Sequence, residues 1–180
     1  MIWLSNSTLV KLRDRLKARG QKPSLAVPSP DMDADRIELM NEISEYGPIC
    51  DAMYLMMSAD GKVGPEEREV LKGALRNLSE DGIRGAHIDT MLDRAAASVA
   101  ELGRDGAMAG VIASLREDGA RGEVAFVLAA AIAFADNAIA DEENETLNAF
   151  AEGIGIDEGR ANTLLDEVEA DLANDAAPEG

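Results

Sequence analysis

The sequence predicts an all-α protein, and three observations lead to that prediction. Aromatic residues make up only 3% of the chain, whereas Ala, Leu, Met and Glu, which lose little rotamer freedom in a helix, are plentiful. No run of residues alternates apolar and polar side chains as a half-buried strand would. Glycine residues instead mark the ends of segments with helical periodicity. We therefore expect a single bundle of about seven helices, plus a detached basic helix at the N-terminus.

The N-terminal segment carries this basic helix. Leu9, Leu12 and Leu16 share one helical face, and Gly20 suits the left-handed conformation that often ends a helix. Residues 1–22 contain six Lys and Arg against one Asp, a net charge of +5, whereas the whole chain carries −18. Such a helix can lie on an anionic membrane, dock on the acidic body of its own protein, or stay disordered in isolation.

A proline-containing linker separates this helix from the main domain. Residues 21–33 contain three prolines and are expected to be extended. We therefore assign residues 1–32 to a basic amphipathic segment with its linker, outside the main core. Residues 33–172 are assigned to a helical domain, and residues 173–180 to a flexible acidic tail.

Caps, prolines and glycines predict the helix boundaries of the main domain. Asp33 is a suitable N-cap for the first helix, which we expect to stop at Gly47 so that Pro48 can begin the next. A further break is expected at Gly103. The segment 121–135 is apolar on nearly every face, so we expect it to lie at the centre of the bundle.

The most informative feature is an acidic motif that occurs twice. The Ala-Asp pair at residues 59–60 is followed by Val63 and a pair of glutamates, and the same spacing recurs 76 residues later, from residues 135–136. Each copy is typical of a helix end, a tight turn and a new helix, which together we call an acidic corner. Gly61 and Asn137 suit the left-handed turn residue. The acids of the two copies are Asp60, Glu66, Glu67, Asp136, Glu142 and Glu143.

Two interpretations of these acids are open. In the structural one, the Glu pairs stabilise the positive ends of the helices that they begin, and each Asp accepts hydrogen bonds from backbone N–H groups. In the functional one, Ca²⁺, Mg²⁺ or Zn²⁺ lies between each Asp and its Glu pair, because hard cations take oxygen ligands. If the two corners pack side by side, the six carboxylates would form one acidic pocket. The EF-hand pattern is excluded, since neither copy has acids or amides at its third and fifth positions or Glu at its twelfth.

The first copy resembles a known family signature. Residues 59–67, Ala-Asp-Gly-Lys-Val-Gly-Pro-Glu-Glu, are similar to the signature of the TerB-like family, which comprises the tellurite-resistance TerB proteins and the N-terminal domain of DjlA-type membrane co-chaperones. The second copy resembles the second copy of the family, with Asn137 in place of glycine. Gly64 and Ala140 stand where the family has a Ser or Thr helix cap. The resemblance extends over residues 35–172.

This resemblance implies an all-α fold with an acidic face that binds divalent cations, and a stress-response role near membrane-bound machinery without enzymatic activity. It favours the cation interpretation of the six motif acids. The basic N-terminal segment lies outside the resemblance. The alternative is a helical protein–protein interaction or scaffold module, whose acidic corners are structural and bind no metal.

Composition and single residues argue against other classes. The negative charge opposes nucleic-acid phosphates, so we expect no nucleic-acid partner. We expect a protein partner or a membrane-associated complex, with anionic membrane contact by residues 1–22. Cys50 is the only cysteine, which fits a reducing, cytoplasmic compartment. His87, the only histidine, is expected at a surface or capping position, and nothing pairs it with Cys50 for catalysis or zinc binding.

Overall fold

Seven α-helices, and no strand, make up the described part of the chain in a computed structural model, which confirms the all-α prediction. The structure describes residues 6–19, 30–58, 63–134 and 141–176. The helices are α1 (Asn6–Arg19), α2 (Ala34–Met57), α3 (Pro65–Leu78), α4 (Gly85–Leu115), α5 (Gly119–Ala133), α6 (Asp141–Ile154) and α7 (Glu158–Ala176).

Helix α5 forms the centre of the bundle. All its residues from Val124 to Ala131 are buried, and the helix contacts α1, α2, α4, α6 and α7. A helix that is apolar on every face can bury its surface only in the interior. Its alanines also let the surrounding helices approach closely, because they carry only one side-chain carbon. The predicted central position of this segment is confirmed.

Helix α2 continues through Pro48, so the predicted break at Gly47 is wrong. Proline lacks the N–H group that would bond to the carbonyl of Ser44, four residues earlier. Arg121 of α5 donates to that carbonyl instead, with Nη1 2.7 Å from the Ser44 oxygen and 3.3 Å from the Glu45 oxygen. The acceptor freed by the proline is therefore satisfied from another helix, and α2 keeps its course.

The break predicted at Gly103 is present as a kink within α4. Gly103 has φ 73° and ψ 171°, a backbone conformation that residues with a side chain rarely adopt. Arg104 follows directly and donates through Nη1 to the carbonyl of Leu55, 2.8 Å away, near the end of α2. The kink thus lies at the end of the bundle where α2 finishes.

Helix α1 packs on the bundle, so the prediction of a detached helix is wrong. Leu9, Leu12 and Leu16 are 5%, 1% and 7% exposed and belong to the same core cluster as the other helices. The helix contacts α3, α5 and α7. The physical reason is twofold: three leucines lose water contact, and basic side chains approach an acidic body.

Two helices begin with an aspartate as the N-cap, and the cap at Asp33 confirms a prediction from the sequence. Asp33 accepts a hydrogen bond from the backbone N–H three residues later at 2.8 Å, and Asp157 does the same at 3.0 Å. Helix α7 continues to Ala176, beyond residue 172, where the helical domain was predicted to end. Most of the predicted linker, at 21–29, and the end of the predicted tail, at 177–180, lie outside the described residues, and the domain boundaries stay predictions.

Candidate functional site

Two of the six candidate cation ligands, Asp60 and Asp136, lie outside the described residues. Glu142 and Glu143 belong to the first turn of α6, but their side chains also lie outside that description. The convergence of the six carboxylates on one ion therefore stays a prediction. What the structure does give is the position of the helices on either side of each motif copy.

Glu67 has a structural role at the start of α3. Its Oε2 atom accepts a hydrogen bond of 2.6 Å from the backbone N–H of Gly64, which has the extended conformation of an N-cap. This is one half of a capping box, and it compensates for the missing Ser or Thr side chain at the cap. Glu66 and Glu67 are both exposed in the first turn, where the helix dipole favours negative charge. Glu67 is therefore useful to the fold without any cation.

The helices that precede the two motif copies, α2 and α5, end on the same side of the bundle. Arg121, near the start of α5, contacts Ser44 in the middle of α2. The buried residues of α2 all follow this point, from Gly47 to Met56. Because α5 is itself buried along its length, we infer that it runs beside this half of α2 in the same direction. Both motif copies therefore start from the same end of the bundle.

The helices that follow the two copies, α3 and α6, do not pack on each other within the described ranges. Helix α3 contacts α1, α2 and α4, whereas α6 contacts α4, α5 and α7. The residues that the structure describes contain no group of three or more His, Cys, Asp and Glu able to hold a metal ion. A cation site at this end therefore depends on Asp60 and Asp136, with the Glu pairs as further ligands.

His87 is buried, which corrects the expectation of a surface or capping histidine. Only 5% of the residue is exposed, with Nδ1 2.6 Å from Glu42 Oε2 and Nε2 3.3 Å from Asp35 Oδ1. Burial raises the pKa of Glu42, and the hydrogen bond to His87 opposes that rise. His87 thus links the start of α4 to the first half of α2. Its partners are 45 positions away or more, so no local pattern reveals this role.

A cavity of about 550 Å³ lies between α2 and α4. Arg94 Nη2 pairs with Asp51 Oδ2 at 3.0 Å on its wall, and burial raises the pKa of Asp51. The residues lining the cavity include neither histidine nor cysteine. Cys50, which precedes Asp51 in the sequence, is buried. Burial raises the pKa of its thiol and thus keeps the thiol protonated and unreactive. The residues that line the cavity therefore offer no Cys–His pair.

A second concentration of acids lies beneath α1, and sequence reasoning missed it. Its six carboxylates come from α2, the α3–α4 loop, α5 with its N-cap residue, and α7. We call it the acidic docking surface. It consists of Glu45, Glu80, Asp118, Glu123, Glu167 and Asp171.

Each basic residue of α1 pairs with a carboxylate on another element. The pairs are Lys11–Asp171 (2.7 Å), Arg13–Glu80 (3.5 Å), Arg15–Glu167 (2.8 Å), Arg15–Glu123 (3.7 Å), Lys17–Glu80 (2.6 Å), Arg19–Asp118 (2.9 Å) and Arg19–Glu45. Arg19 and Asp118 are the most buried pair, with side chains 7% and 5% exposed. Arginine is protonated at any physiological pH, and the hydrogen bond to Glu45 raises the pKa of Arg19 further. The sequence feature that could have indicated these ion pairs is the four-residue spacing of Lys11, Arg15 and Arg19, beside the row of leucines.

The chain matches one protein family over most of its length. The model of the tellurite resistance protein TerB family matches residues 49–165, which is more than half of the chain and includes both motif copies. The chain belongs to the TerB family. This membership confirms the resemblance that the doubled signature indicated, and it supports a non-enzymatic domain. Comparisons with curated proteins and with solved structures found no match.

The TerB match does not include α1 or the first half of α2. It also stops within α7, so that Glu45, Glu167 and Asp171 of the acidic docking surface lie outside it. The basic helix and half of its acidic contacts thus lie outside the matched residues. None of the described helices is long and apolar enough to cross a membrane.

Proposed function

We propose that this TerB-family domain binds divalent cations through its doubled acidic motif. The proposed role is non-catalytic, in a stress response of the tellurite-resistance kind, in the cytoplasm and near membrane machinery. The observation that carries the proposal is the contact of Arg121 with Ser44, from which we infer that both motif copies follow helices ending on the same side of the bundle. The proposed ligands are Asp60, Glu66, Glu67, Asp136, Glu142 and Glu143.

The chemistry of the ligand set supports this choice. Carboxylates are pure acceptors when ionised, and six of them at one end of a bundle repel one another unless a cation lies between them. Ca²⁺ takes six to eight oxygen ligands, and Mg²⁺ accepts one or two carboxylates with water. Zn²⁺ is the third candidate, although its structural sites favour nitrogen and sulfur ligands. The net charge of −18 further favours cation association.

A thermal-unfolding experiment tests the proposal. Ca²⁺, Mg²⁺ or Zn²⁺ at millimolar concentration is expected to raise the melting temperature, because an ion that binds only the folded state stabilises it by about 2.7 kcal/mol at 100 times its Kd. The double variant Asp60→Asn/Asp136→Asn should lose this response. The matched control is Asp166→Asn/Glu169→Gln, which removes two exposed charges from α7 and should retain the response.

The stoichiometry of binding separates two versions of the proposal. Calorimetric titration should give one ion per chain if the corners share a pocket, and two if each corner binds its own ion. If none of the three metals shifts the melting temperature of the natural sequence, cation binding is wrong. That result favours the alternative, a protein–protein interaction or scaffold module with structural acidic corners.

The acidic docking surface is the observation that favours this second function. A protein partner or a membrane-associated complex remains the proposed binding target, and nucleic acid is disfavoured by the charge. Contact of residues 1–22 with an anionic membrane would require α1 to leave the bundle, because its three leucines are buried there. The membrane role and the docked position of α1 therefore exclude each other.

A further inference from the structure

We propose that the acidic docking surface is an exchangeable binding site for a basic amphipathic helix from another polypeptide chain, and that α1 occupies this site within its own chain. The inference does not depend on the cation proposal, because it concerns a different set of acids. It rests on four observations: the charge pattern, the apolar contact, the way in which α1 is attached, and the extent of the TerB match.

The charges define what the surface recognises. Lys11, Arg15 and Arg19 lie four residues apart and therefore follow one side of the helix. Each contacts an acid from a separate position along the surface, at Asp171, Glu167 and Asp118 respectively. The surface consequently recognises basic side chains at helical spacing. A basic peptide without helical structure would not present its charges in that arrangement.

The apolar contact defines which face of the helix must be hydrophobic. Leu9, Leu12 and Leu16 are buried against the bundle. Val127 of α5 and Val168 of α7 lie beside Leu12 at this interface. A partner helix therefore needs apolar residues at positions i, i+3 and i+7, next to the row of cations, as α1 has.

Helix α1 is held mainly by its three buried leucines and by Arg19, and these are the contacts that an exchanging helix would have to replace. The side chains of Lys11 and Lys17 are 52% and 56% exposed, so water and salt screen their ion pairs. A 14-residue helix is barely stable alone in water, so α1 depends on the surface for its folded form. Residues 20–33 are its covalent connection to α2, and the residues matched by the TerB model do not include it.

The tether of α1 determines how a partner competes. A short linker holds α1 at an effective concentration on the order of millimolar, so a free helix binds the natural chain weakly. Weakening α1 within its own chain should expose the surface to the same sequence added as a separate molecule. This relation gives a direct test that uses the full chain.

The probe is a fluorescently labelled peptide of residues 1–22, and its binding is measured by fluorescence anisotropy. The full-chain variant Lys11→Glu/Arg15→Glu should bind the peptide at least about tenfold more tightly than the natural chain, because α1 no longer competes. Adding Glu167→Lys/Asp171→Lys to that variant should abolish the tight binding. The matched control adds Asp166→Lys/Glu169→Lys instead, on exposed positions of the same helix, and should leave it intact.

A charge swap makes the result specific. A peptide that carries Lys11→Glu/Arg15→Glu should bind tightly to the chain that carries only Glu167→Lys/Asp171→Lys, because the natural α1 of that chain is repelled by the reversed surface and no longer competes. Circular dichroism confirms that each variant stays folded, and Lys11→Gln/Arg15→Gln replaces any reversal that unfolds. The proposal is wrong if folded variants with weakened α1 bind the peptide no better than the natural chain. It is equally wrong if the surface and control substitutions change binding alike.

Discussion

The carboxylates beneath α1 and those at the start of α3 are the same residue types in different surroundings. On the acidic docking surface, Asp118 is 5% exposed, with Arg19 Nε at 2.9 Å and Arg121 Nε at 3.1 Å. At the start of α3, Glu66 and Glu67 are exposed, and Glu67 accepts a hydrogen bond from the backbone. The acidic docking surface is neutralised by basic side chains of its own chain, whereas the carboxylates at the start of α3 are open to water and to dissolved cations.

This difference shows why one acidic region was visible in the sequence and the other was not. The doubled motif brings its acids together within a few residues, so its repetition can be read directly. The contacts of α1 join residues that are far apart, such as Lys11 with Asp171, 160 positions away, and Arg19 with Asp118, 99 positions away. Charges that neutralise each other across such distances are recognised only after folding.

The largest expected effect concerns the buried charge between the two arginines. Asp118→Asn should lower the free energy of unfolding by about 3–5 kcal/mol, because Arg19 and Arg121 would keep their charges with less compensation. Asparagine still caps a helix, so the loss reports on charge. Urea denaturation measures it, with Asp33→Asn, the same change at an exposed N-cap, as the control. Equal losses at both positions would contradict a special role for the docking surface.

The next effect tests whether α1 folds with the rest of the bundle. Leu12, 1% exposed, loses its packing in Leu12→Ala, and the expected cost is about 2–5 kcal/mol. Val10→Ala on the outer face, where Val10 is 39% exposed, should cost about 0.5 kcal/mol or less. Chemical denaturation followed by circular dichroism gives both values. If the two substitutions cost the same, α1 does not belong to the cooperative core.

The smallest effect separates the structural role of Glu67 from a role as a cation ligand. Glu67→Ala should cost about 0.5–1 kcal/mol through the lost cap, whereas Glu67→Gln should cost less, since glutamine also completes a capping box. Thermal unfolding measures both variants with and without Ca²⁺. A ligand role predicts that Glu67→Gln weakens the response to the ion. An unchanged response would leave Glu67 with its cap alone.

The sequence predicted those parts of the fold that depend on neighbouring residues. The cap at Asp33 and the break at Gly103 were correct because each requires only a local backbone conformation. The break before Pro48 was wrong because its acceptor is satisfied by Arg121, which is 77 positions from Ser44. For the candidate site, the sequence identified the doubled acids, and their common coordination of an ion remains a prediction.

The sequence by itself determined the all-α class, the central position of α5 and membership of the TerB family. Composition, an apolar segment and a repeated signature carry that information locally. Only the tertiary structure decided the continuity of α2, the buried position of His87 and the docking of α1 on six acids. The reason is physical: burial and ion pairing act between surfaces that the folded chain brings together, whatever their separation in sequence.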